Sequence, residues 1–192
     1  MADSTVKAIR TPVGILSFPA LFEPRSPAPG ADPRFQINLL FDKEAQQSEE
    51  YKDLQNEIIK CAKEAFGDDI DFGSIRLPLR NAGEKKYNGY DEGSTFIAPW
   101  SKSKPGLVDG RLQELYDPND IWAGQKARAT IKPFPYNTSG NRGVSLALNN
   151  VQIVKKDMPR MDGRVAANAD FDLVGDGSGH EADESGAAAI FG

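Results

Sequence analysis

Basic and apolar residues alternate along the second half of the chain. Across residues 126–132, lysine, arginine and threonine at even positions alternate with alanine and isoleucine at odd positions, and Phe134 continues the even row. This is the period-two pattern of a half-buried strand. A second strand follows the turn-rich residues 137–143, and its apolar positions change parity at Asn149 and Asn150. A change of parity predicts a β-bulge, which bends and twists a strand. The two segments therefore predict a long, twisted hairpin with one basic face.

Earlier segments predict two further strands and one helix. Residues 34–41 alternate strictly and predict a strand with one apolar face. Residues 5–22 mix β-branched and aromatic residues with two prolines, which suits a bent or edge strand. Apolar residues at spacings of three and four between Ser48 and Phe66, followed by Gly67, predict an amphipathic helix with Ser48 as its N-cap.

Shorter signals lie between the helix and the long hairpin. Residues 70–79 and 107–108 read as short strands. The dipeptide Asn88-Gly89 is a hairpin-turn signal, and residues 117–120, Asp-Pro-Asn-Asp, read as a turn. The intervening chain is therefore predicted to be irregular and rich in turns.

Length and composition favour one β-rich domain followed by a tail. The chain has 192 residues, 18 of them glycine and 13 proline, and we predict a domain over residues 1–160 and a flexible acidic tail over residues 161–192. Cys61 is the one cysteine, so no intramolecular disulfide can form. Its position on the apolar stripe of the helix predicts a buried thiol. With no leader-like or membrane-spanning run, we expect a soluble protein of the cytoplasm.

Charge is unevenly distributed along the chain. The net charge is −5, but six acids and no lysine or arginine lie in residues 168–192. Removing those six from the 28 acids leaves 22 acids against 23 bases, a net of +1. Residues 42–71 carry ten acids and four bases, whereas residues 72–164 carry fifteen bases and nine acids. The sequence thus consists of an acidic helical segment, a basic β-rich body and an acidic tail.

Aromatic residues accompany the cations of the basic body. An ordinary solvated strand face would explain the cations alone, but it has no use for the aromatics Phe134 and Tyr136, which continue the basic row. Nonspecific binding of single-stranded nucleic acid needs both cations for phosphates and rings on which bases stack. The predicted cationic contacts are Arg76, Arg80, Lys85, Lys86, Lys102, Lys104, Lys126, Arg128, Lys132 and Arg142. The predicted stacking residues are Tyr87, Tyr90, Trp100, Phe134 and Tyr136.

A barrel also needs aromatic residues inside, so we expect about half of those five rings to belong to the core. Trp122, which precedes a predicted strand, is assigned to the core. We expect Lys126, Arg128 and Lys132 to share one electrostatic surface that ends at Phe134.

The order of these segments resembles that of phage-encoded single-stranded DNA-binding proteins. The resemblance rests on residues 18–22, 35–41, the helix, 122–125 and 143–154 taken together. It implies an OB-fold, a five-stranded Greek-key barrel with one inserted helix, that binds ssDNA, and ssRNA more weakly, in DNA replication and recombination. It also implies a monomer or weak oligomer that needs no cofactor or metal.

The same resemblance implies that the acidic tail competes with DNA and binds replication or recombination proteins. The tail residues assigned to partner binding are Asp176, Glu181, Asp183, Glu184 and Phe191. Tails of this kind commonly end on an aromatic residue directly after the acids. Here Ser185 to Ala189 separate the acids from Phe191, and Gly192 follows it.

Two other functions remain open at this stage. A metal-dependent nuclease could use Asp117, Asp120 and a further carboxylate, although the same residues are typical of a turn. A protein-binding OB module could present its basic face to an acidic partner. The lone histidine, His180, lies in the tail, and no P-loop pattern is present, so neither histidine-based catalysis nor ATP-driven chemistry is indicated.

Overall fold

Strands dominate the structure, a computed structural model that describes residues 8–138 and 140–164. The one α-helix within these residues is α1, Glu49–Phe66, and short 3-10 turns cover Ala45–Gln47, Phe72–Ser74 and Pro118–Asp120. The strands are β1 (Ile9–Arg10), β2 (Gly14–Arg25), β3 (Arg34–Phe41), β4 (Arg80–Asn81), β5 (Thr95–Ile97), β6 (Trp100–Ser101), β7 (Gly106–Val108), β8 (Lys126–Thr138) and β9 (Asn141–Lys155).

Five strands close into a barrel. Strand β2 pairs with β3 and with β8, β8 pairs with β9, β9 pairs with β6, and β6 pairs back with β3. The β6–β9 pairing is parallel and the others in this circuit are antiparallel. Strands β1, β4, β5 and β7 attach to this circuit at its edges. The predicted fold class, mainly β with one inserted helix, is confirmed.

The β8–β9 hairpin follows its sequence pattern closely. Buried and less buried residues alternate along β8 from Lys126 to Phe134. In β9, Asn150 faces Thr130 whereas Leu148 faces Ile131, so Asn149 is an extra residue without a partner. The bulge predicted from the change of parity is therefore confirmed, and it keeps the apolar residues on both sides of it inside the barrel.

Helix α1 lies between β3 and the later strands and begins as predicted. The Ser48 hydroxyl accepts a hydrogen bond from the Tyr51 amide at 3.2 Å, which satisfies one of the free amides of the first turn. Leu54 and Ile58 on the inner face join the barrel core, and Cys61 beside them is buried as predicted. Burial, with the nearby glutamates Glu57 and Glu64, raises the pKa of the Cys61 thiol. The thiol is therefore a core group rather than a reactive one.

Two separate clusters of buried residues hold the fold together. The larger one fills the barrel and includes Leu16, Ile37, Ile131 and Leu146. A smaller cluster of Leu40, Ala82, Tyr90 and Phe96 lies apart from it. Because Leu40 alternates with the barrel-filling Leu39 along β3, the smaller cluster covers the outer face of the sheet.

Two predicted elements differ in the structure. The strand predicted over residues 70–79 is wrong, because a 3-10 turn is followed by an extended segment that makes a single bridge, from Arg76 to Gly143. The dipeptide Asn88-Gly89 does lie in a turn, and Gly89 has a φ of +80°. The paired strands β4 and β5 are, however, joined by the much longer loop of residues 82–94.

Several predictions concern residues beyond the described part of the chain. The tail from residue 165 onward, with its five assigned partner-binding residues, lies outside the described residues. None of the helical segments within residues 8–138 and 140–164 has the length and apolarity that a membrane crossing requires.

Candidate nucleic-acid interface

Trp100 is the centre of an aromatic and cationic surface on the outside of the barrel. Its indole Nε1 donates a hydrogen bond to the Ser145 hydroxyl at 3.1 Å. The Phe134 ring packs edge-on against it with 6.0 Å between ring centroids, and the Arg34 guanidinium lies 5.0 Å from the centroid of the indole ring. The indole is thus fixed on several sides yet remains partly exposed.

Strand register brings these residues together from distant parts of the sequence. Trp100 of β6 lies opposite Gln36 of β3 and opposite Ala147 of β9. Ala147 in turn faces Lys132 of β8, and in the neighbouring row Phe134 faces Ser145. Directly opposed residues project to the same face of a sheet. Four strands therefore contribute to one surface.

A groove of about 620 Å³ runs beside the indole. Arg34, Arg76 and Arg80 line it together with Trp100 and Tyr136. We call this lined space, with Phe134 at its border, the Trp100 groove. It combines three arginines with three partly exposed aromatic rings.

Backbone contacts place Arg76 at the groove although it belongs to no strand. Its amide donates to the Arg142 carbonyl at 3.0 Å, and its carbonyl accepts from the Val144 amide at 3.0 Å. This close approach needs Gly143, because a Cβ there would come within 2.2 Å of the Arg76 carbonyl oxygen. Glycine is thus required at position 143 to hold the Arg76 segment against β9.

The groove is electropositive. Within the described residues, neither Arg34 nor Arg76 nor Arg80 forms an ion pair with a carboxylate. Burial lowers the pKa of the Arg34 guanidinium from its ordinary value, but an arginine remains charged at neutral pH after such a shift. Three guanidinium groups whose charge no carboxylate neutralises are suited to bind phosphates.

Other predicted cations surround the groove or lie apart from it. Lys132 shares the row of Trp100, and Arg142 donates to the Ser74 hydroxyl at 3.1 Å. Lys104 lies 5.2 Å from the Phe22 ring centroid and Lys102 lies 3.8 Å from an Asp32 carboxylate oxygen. The exposed Lys85 and Lys86 lie in the loop between β4 and β5.

Lys126 and Arg128 lie at the opposite end of strand β8. The Arg128 Nε donates to the Gln152 side chain at 2.8 Å. Six residues of strand separate Arg128 from Phe134, which corresponds to about 20 Å. Aliphatic and polar side chains, among them Val108 and Leu112, line the surface near Arg128, and no aromatic residue lines it within the described part of the chain. The basic row seen in the sequence is therefore divided between two places.

The five predicted stacking residues have different surroundings. Trp100, Phe134 and Tyr136 are partly exposed at the groove, and Tyr87 is exposed elsewhere on the surface. The prediction that Tyr90 stacks on a base is wrong, because the residue is only 6% exposed. Its hydroxyl accepts a hydrogen bond from the Asn38 side-chain amide at 2.8 Å and donates one to the Ser17 hydroxyl at 3.3 Å. Its ring is thus part of the small outer cluster and is not available to a base.

Trp122 is not a core residue, contrary to the prediction. It is partly exposed and belongs to neither cluster of buried residues. Its Nε1 donates to the Met158 carbonyl at 3.1 Å, and the Arg160 guanidinium lies 4.9 Å from its ring centroid. The indole therefore anchors the segment that follows β9.

Sequence reasoning missed two residues of these surfaces. Arg34 opens the polar side of the β3 alternation, so its parity could have shown that it points outward. Phe18 was assigned to a bent or edge strand and not to a binding surface, yet it is 49% exposed. No alternation pattern marks it, because a bulge in β2 changes its direction.

The carboxylates considered for a nuclease have structural roles. An Asp117 carboxylate oxygen accepts from the Asn119 amide at 2.8 Å and so caps a 3-10 turn. Asp120 lies 3.6 Å from the Lys156 ammonium. In the described part of the chain, no group of three or more histidine, cysteine or acidic residues is arranged to hold a metal ion.

Solved structures of phage ssDNA-binding proteins share the fold of this chain. No curated protein matches the sequence. Among solved structures, the single-stranded DNA-binding protein of bacteriophage Enc34, in complex with ssDNA, has a TM-score of 0.65 at 19% identity, over 78% of this chain and 87% of that one. The same phage protein in another structure has a TM-score of 0.65 at 20% identity, over 85% and 89%. The single-stranded DNA-binding protein gp2.5 encoded by bacteriophage T7 has a TM-score of 0.57 at 16% identity, over 83% and 98%.

Structural similarity at these identities establishes the fold, and the family follows from the sequence itself. Residues 7–185 match the family described as the ssDNA-binding protein of Enterobacter phage Enc34. That description names a DNA-binding family and not an enzyme. The chain therefore belongs to the family of phage ssDNA-binding proteins typified by that of Enterobacter phage Enc34.

Proposed function

We propose that the chain binds single-stranded DNA in the Trp100 groove without sequence preference. The observation that carries this proposal is the fixed, partly exposed indole of Trp100 between Phe134 and the Arg34 guanidinium. A base can stack on an indole whatever its identity, which contributes about 1–3 kcal/mol per base. The indole is held by Ser145, so little side-chain freedom is lost when a base binds.

The arginines of the groove complete the binding chemistry. Arg34, Arg76 and Arg80 border the same space as the indole, so a base stacked there would place its flanking phosphates near guanidinium groups. Phosphate contacts carry no sequence information, and stacking reads no base edges. The groove therefore favours ssDNA of any sequence over duplex DNA, whose bases are already stacked in pairs. We expect ssRNA to bind more weakly.

The biological role that fits this activity is to coat ssDNA. The proposal is that the protein protects and organises ssDNA during phage DNA replication and recombination in the cytoplasm of the host. The domain of residues 1–160 would bind DNA. The acidic residues 161–192 would compete with DNA for the groove and recruit replication or recombination proteins. The six acids of residues 168–192 support this part of the proposal, since each can stand in for a phosphate.

Fluorescence anisotropy with labelled oligonucleotides tests the activity. Homopolymeric and mixed ssDNA, ssRNA and duplex DNA are titrated at several salt concentrations. We expect similar affinity for all ssDNA sequences and weaker binding of duplex. The logarithm of affinity should fall with the logarithm of salt concentration, with a slope of about −0.7 for each phosphate neutralised. A preference for duplex, or an affinity that salt leaves unchanged, would contradict the proposal.

A further inference from the structure

Phe18 adopts a backbone conformation that is rare for a bulky residue. Its φ is +45°, in the left-handed region where a large side chain is strained. Ser17 faces Asn38 and Ala20 faces Gln36, so Phe18 and Pro19 together face only Ile37 and form a bulge in β2. A bulge can redirect a side chain, and local strain is retained where the surrounding structure enforces it. Here the result is an aromatic ring that is 49% exposed on the outer surface.

The Phe18 ring forms an exposed aromatic pair with Tyr87. The two ring centroids are 5.1 Å apart, with an interplanar angle of 72°, and Tyr87 is 52% exposed. The buried Tyr90 supports both rings from below, at 6.4 Å from Phe18 and 5.4 Å from Tyr87. Hydrogen bonds from Asn38 and to Ser17 fix Tyr90 in turn. The pair is therefore an exposed aromatic surface that rests on a buried, hydrogen-bonded ring.

Cations surround this pair. Lys85 and Lys86 directly precede Tyr87 and are exposed. Arg25 and Arg160 line the cavity of about 390 Å³ that the two rings border. Arg160 lies 3.8 Å from an Asp162 carboxylate oxygen, so its charge is partly balanced. The site thus repeats the chemistry of the Trp100 groove, with aromatic rings next to positive charge.

The outer face of β3 connects the two aromatic surfaces. Gln36 lies opposite Trp100, and Asn38 contacts Tyr90. These two residues are one pleat repeat apart on the same face, about 7 Å along the strand. Arg80 lies beside this connection and also borders the Trp100 groove. Its guanidinium lies 4.6 Å from the centroid of the Phe96 ring. The Phe96 and Tyr90 ring centroids are in turn 5.3 Å apart.

We propose that Phe18 and Tyr87 form a second stacking subsite, on which a strand of ssDNA that leaves the Trp100 groove along β3 places a further base. This inference rests on the proposed function of the groove. Its consequence is that the length of ssDNA bound by one protein exceeds what the groove alone covers. OB-folds occupy about 4–16 nucleotides depending on the protein, so one additional subsite is a measurable change.

Oligonucleotide length separates the two subsites. Affinities of wild type, Phe18→Gly, Tyr87→Ala and the double variant are measured by anisotropy with oligothymidylates of about 4 and about 16 nucleotides. Glycine adopts positive φ without strain, so Phe18→Gly removes the ring and leaves the bulge intact. We expect the double variant to bind the longer strand about 5- to 150-fold more weakly, the equivalent of one lost stacking contact. Binding of the shorter strand, which the groove can hold alone, should not change.

Ring-retaining variants and a groove variant serve as controls. Phe18→Tyr and Tyr87→Phe should retain the affinity of the wild type for the longer strand, and melting temperatures show that each variant folds. Unchanged affinity of the double variant for the longer strand would overturn the second subsite, as would an equal loss at both lengths. Trp100→Ala tests the groove independently: if it weakens neither length, the proposed function itself fails. An exposed aromatic pair that binds only a protein partner would give the first of these negative results.

Discussion

Both ends of the β8–β9 hairpin carry basic residues, but the residues beside those cations differ. At one end Phe134 packs against Trp100 at the border of a groove that three arginines line, and Lys132 lies in the same register row as Trp100. At the other end Arg128 is hydrogen bonded to Gln152, and the neighbouring surface consists of aliphatic and polar residues and Arg10. A cation near a stacking ring can hold a phosphate while the base packs, whereas a cation alone offers only screened attraction. Aromatic rings beside the cations therefore distinguish the Trp100 end from the Arg128 end.

The two ends of β8 differ because of how the strands pair in the barrel, and not because of the residue pattern of β8 itself. Along β8 every second residue from 126 to 134 points outward, as the sequence predicts. A strand of this length extends about 40 Å, and the twist of a closed barrel turns its two ends toward different surroundings. Trp100 and Arg34 reach the Phe134 end only because β6 pairs with β9 and β3 pairs with β6. The outward-facing residues of β8, which form one row in the sequence, therefore belong to two surfaces, one near Arg128 and one near Phe134.

Loss of the Trp100 indole should lower the affinity for ssDNA more than any other change to the two ends of the hairpin. We expect Trp100→Ala to weaken ssDNA binding by about 5- to 150-fold, because one base loses its stacking partner. Tyr116→Ala is a matched control, since Tyr116 is 75% exposed and borders a different surface. Anisotropy titrations at a fixed salt concentration measure both variants. Equal effects of the two substitutions would show that any exposed ring serves equally well.

Charge reversal should lower the affinity for ssDNA by a smaller factor than loss of the Trp100 indole, and it should do so mainly at the groove end of the hairpin. Arg80→Glu removes a groove cation, so we expect a loss of ssDNA affinity of about fivefold at about 0.1 M salt and a salt slope that is shallower by about 0.7. Arg128→Glu introduces the same charge change at the other end, and Lys60→Glu does so on the acidic helix. We expect both of these to have clearly smaller effects. Equal losses from all three would mean that net charge, and not a located groove, governs binding.

Gly143→Ala should disturb the groove through the backbone. The added Cβ would meet the Arg76 carbonyl oxygen, so the Arg76 segment must move away from β9. We expect a loss of about 1–3 kcal/mol in the free energy of unfolding, measured by urea denaturation. Affinity for ssDNA should also fall moderately because Arg76 is displaced. A variant as stable as the wild type would show that this segment adapts without cost.

Removal of the tail should have the smallest effect, and only at low salt. We expect the protein truncated after Arg164 to bind ssDNA more tightly, because the acids of residues 168–192 no longer compete for the groove. The gain should shrink as salt screens the tail. Unchanged affinity at low salt would assign the tail to partner proteins alone.

Local patterns predicted the elements of this fold better than they predicted the site. The parity change at Asn149 and the capping serine Ser48 are readable because each acts on its immediate neighbours. Trp100 and Phe134 were both predicted to stack, but their contact depends on a parallel pairing that no local pattern encodes. Burial of Tyr90 depends on Asn38 and Ser17, and exposure of Phe18 depends on a bulge. Apart from Arg34, whose outward direction its parity could have shown, what sequence reasoning missed was therefore tertiary in origin.

Closure of the barrel also determines when, during synthesis, the Trp100 groove can form. Arg34 and Trp100 are made early, but the hydroxyl that holds the indole belongs to Ser145 and the strand that pairs with β6 is β9, near the end of the described chain. A nascent chain that stops before residue 141 carries all three arginines and all three aromatic rings of the groove, but it lacks β9 and Ser145. If the proposed groove binds DNA, affinity for DNA should thus appear only after β9 leaves the ribosome, so that incomplete chains do not occupy single-stranded DNA.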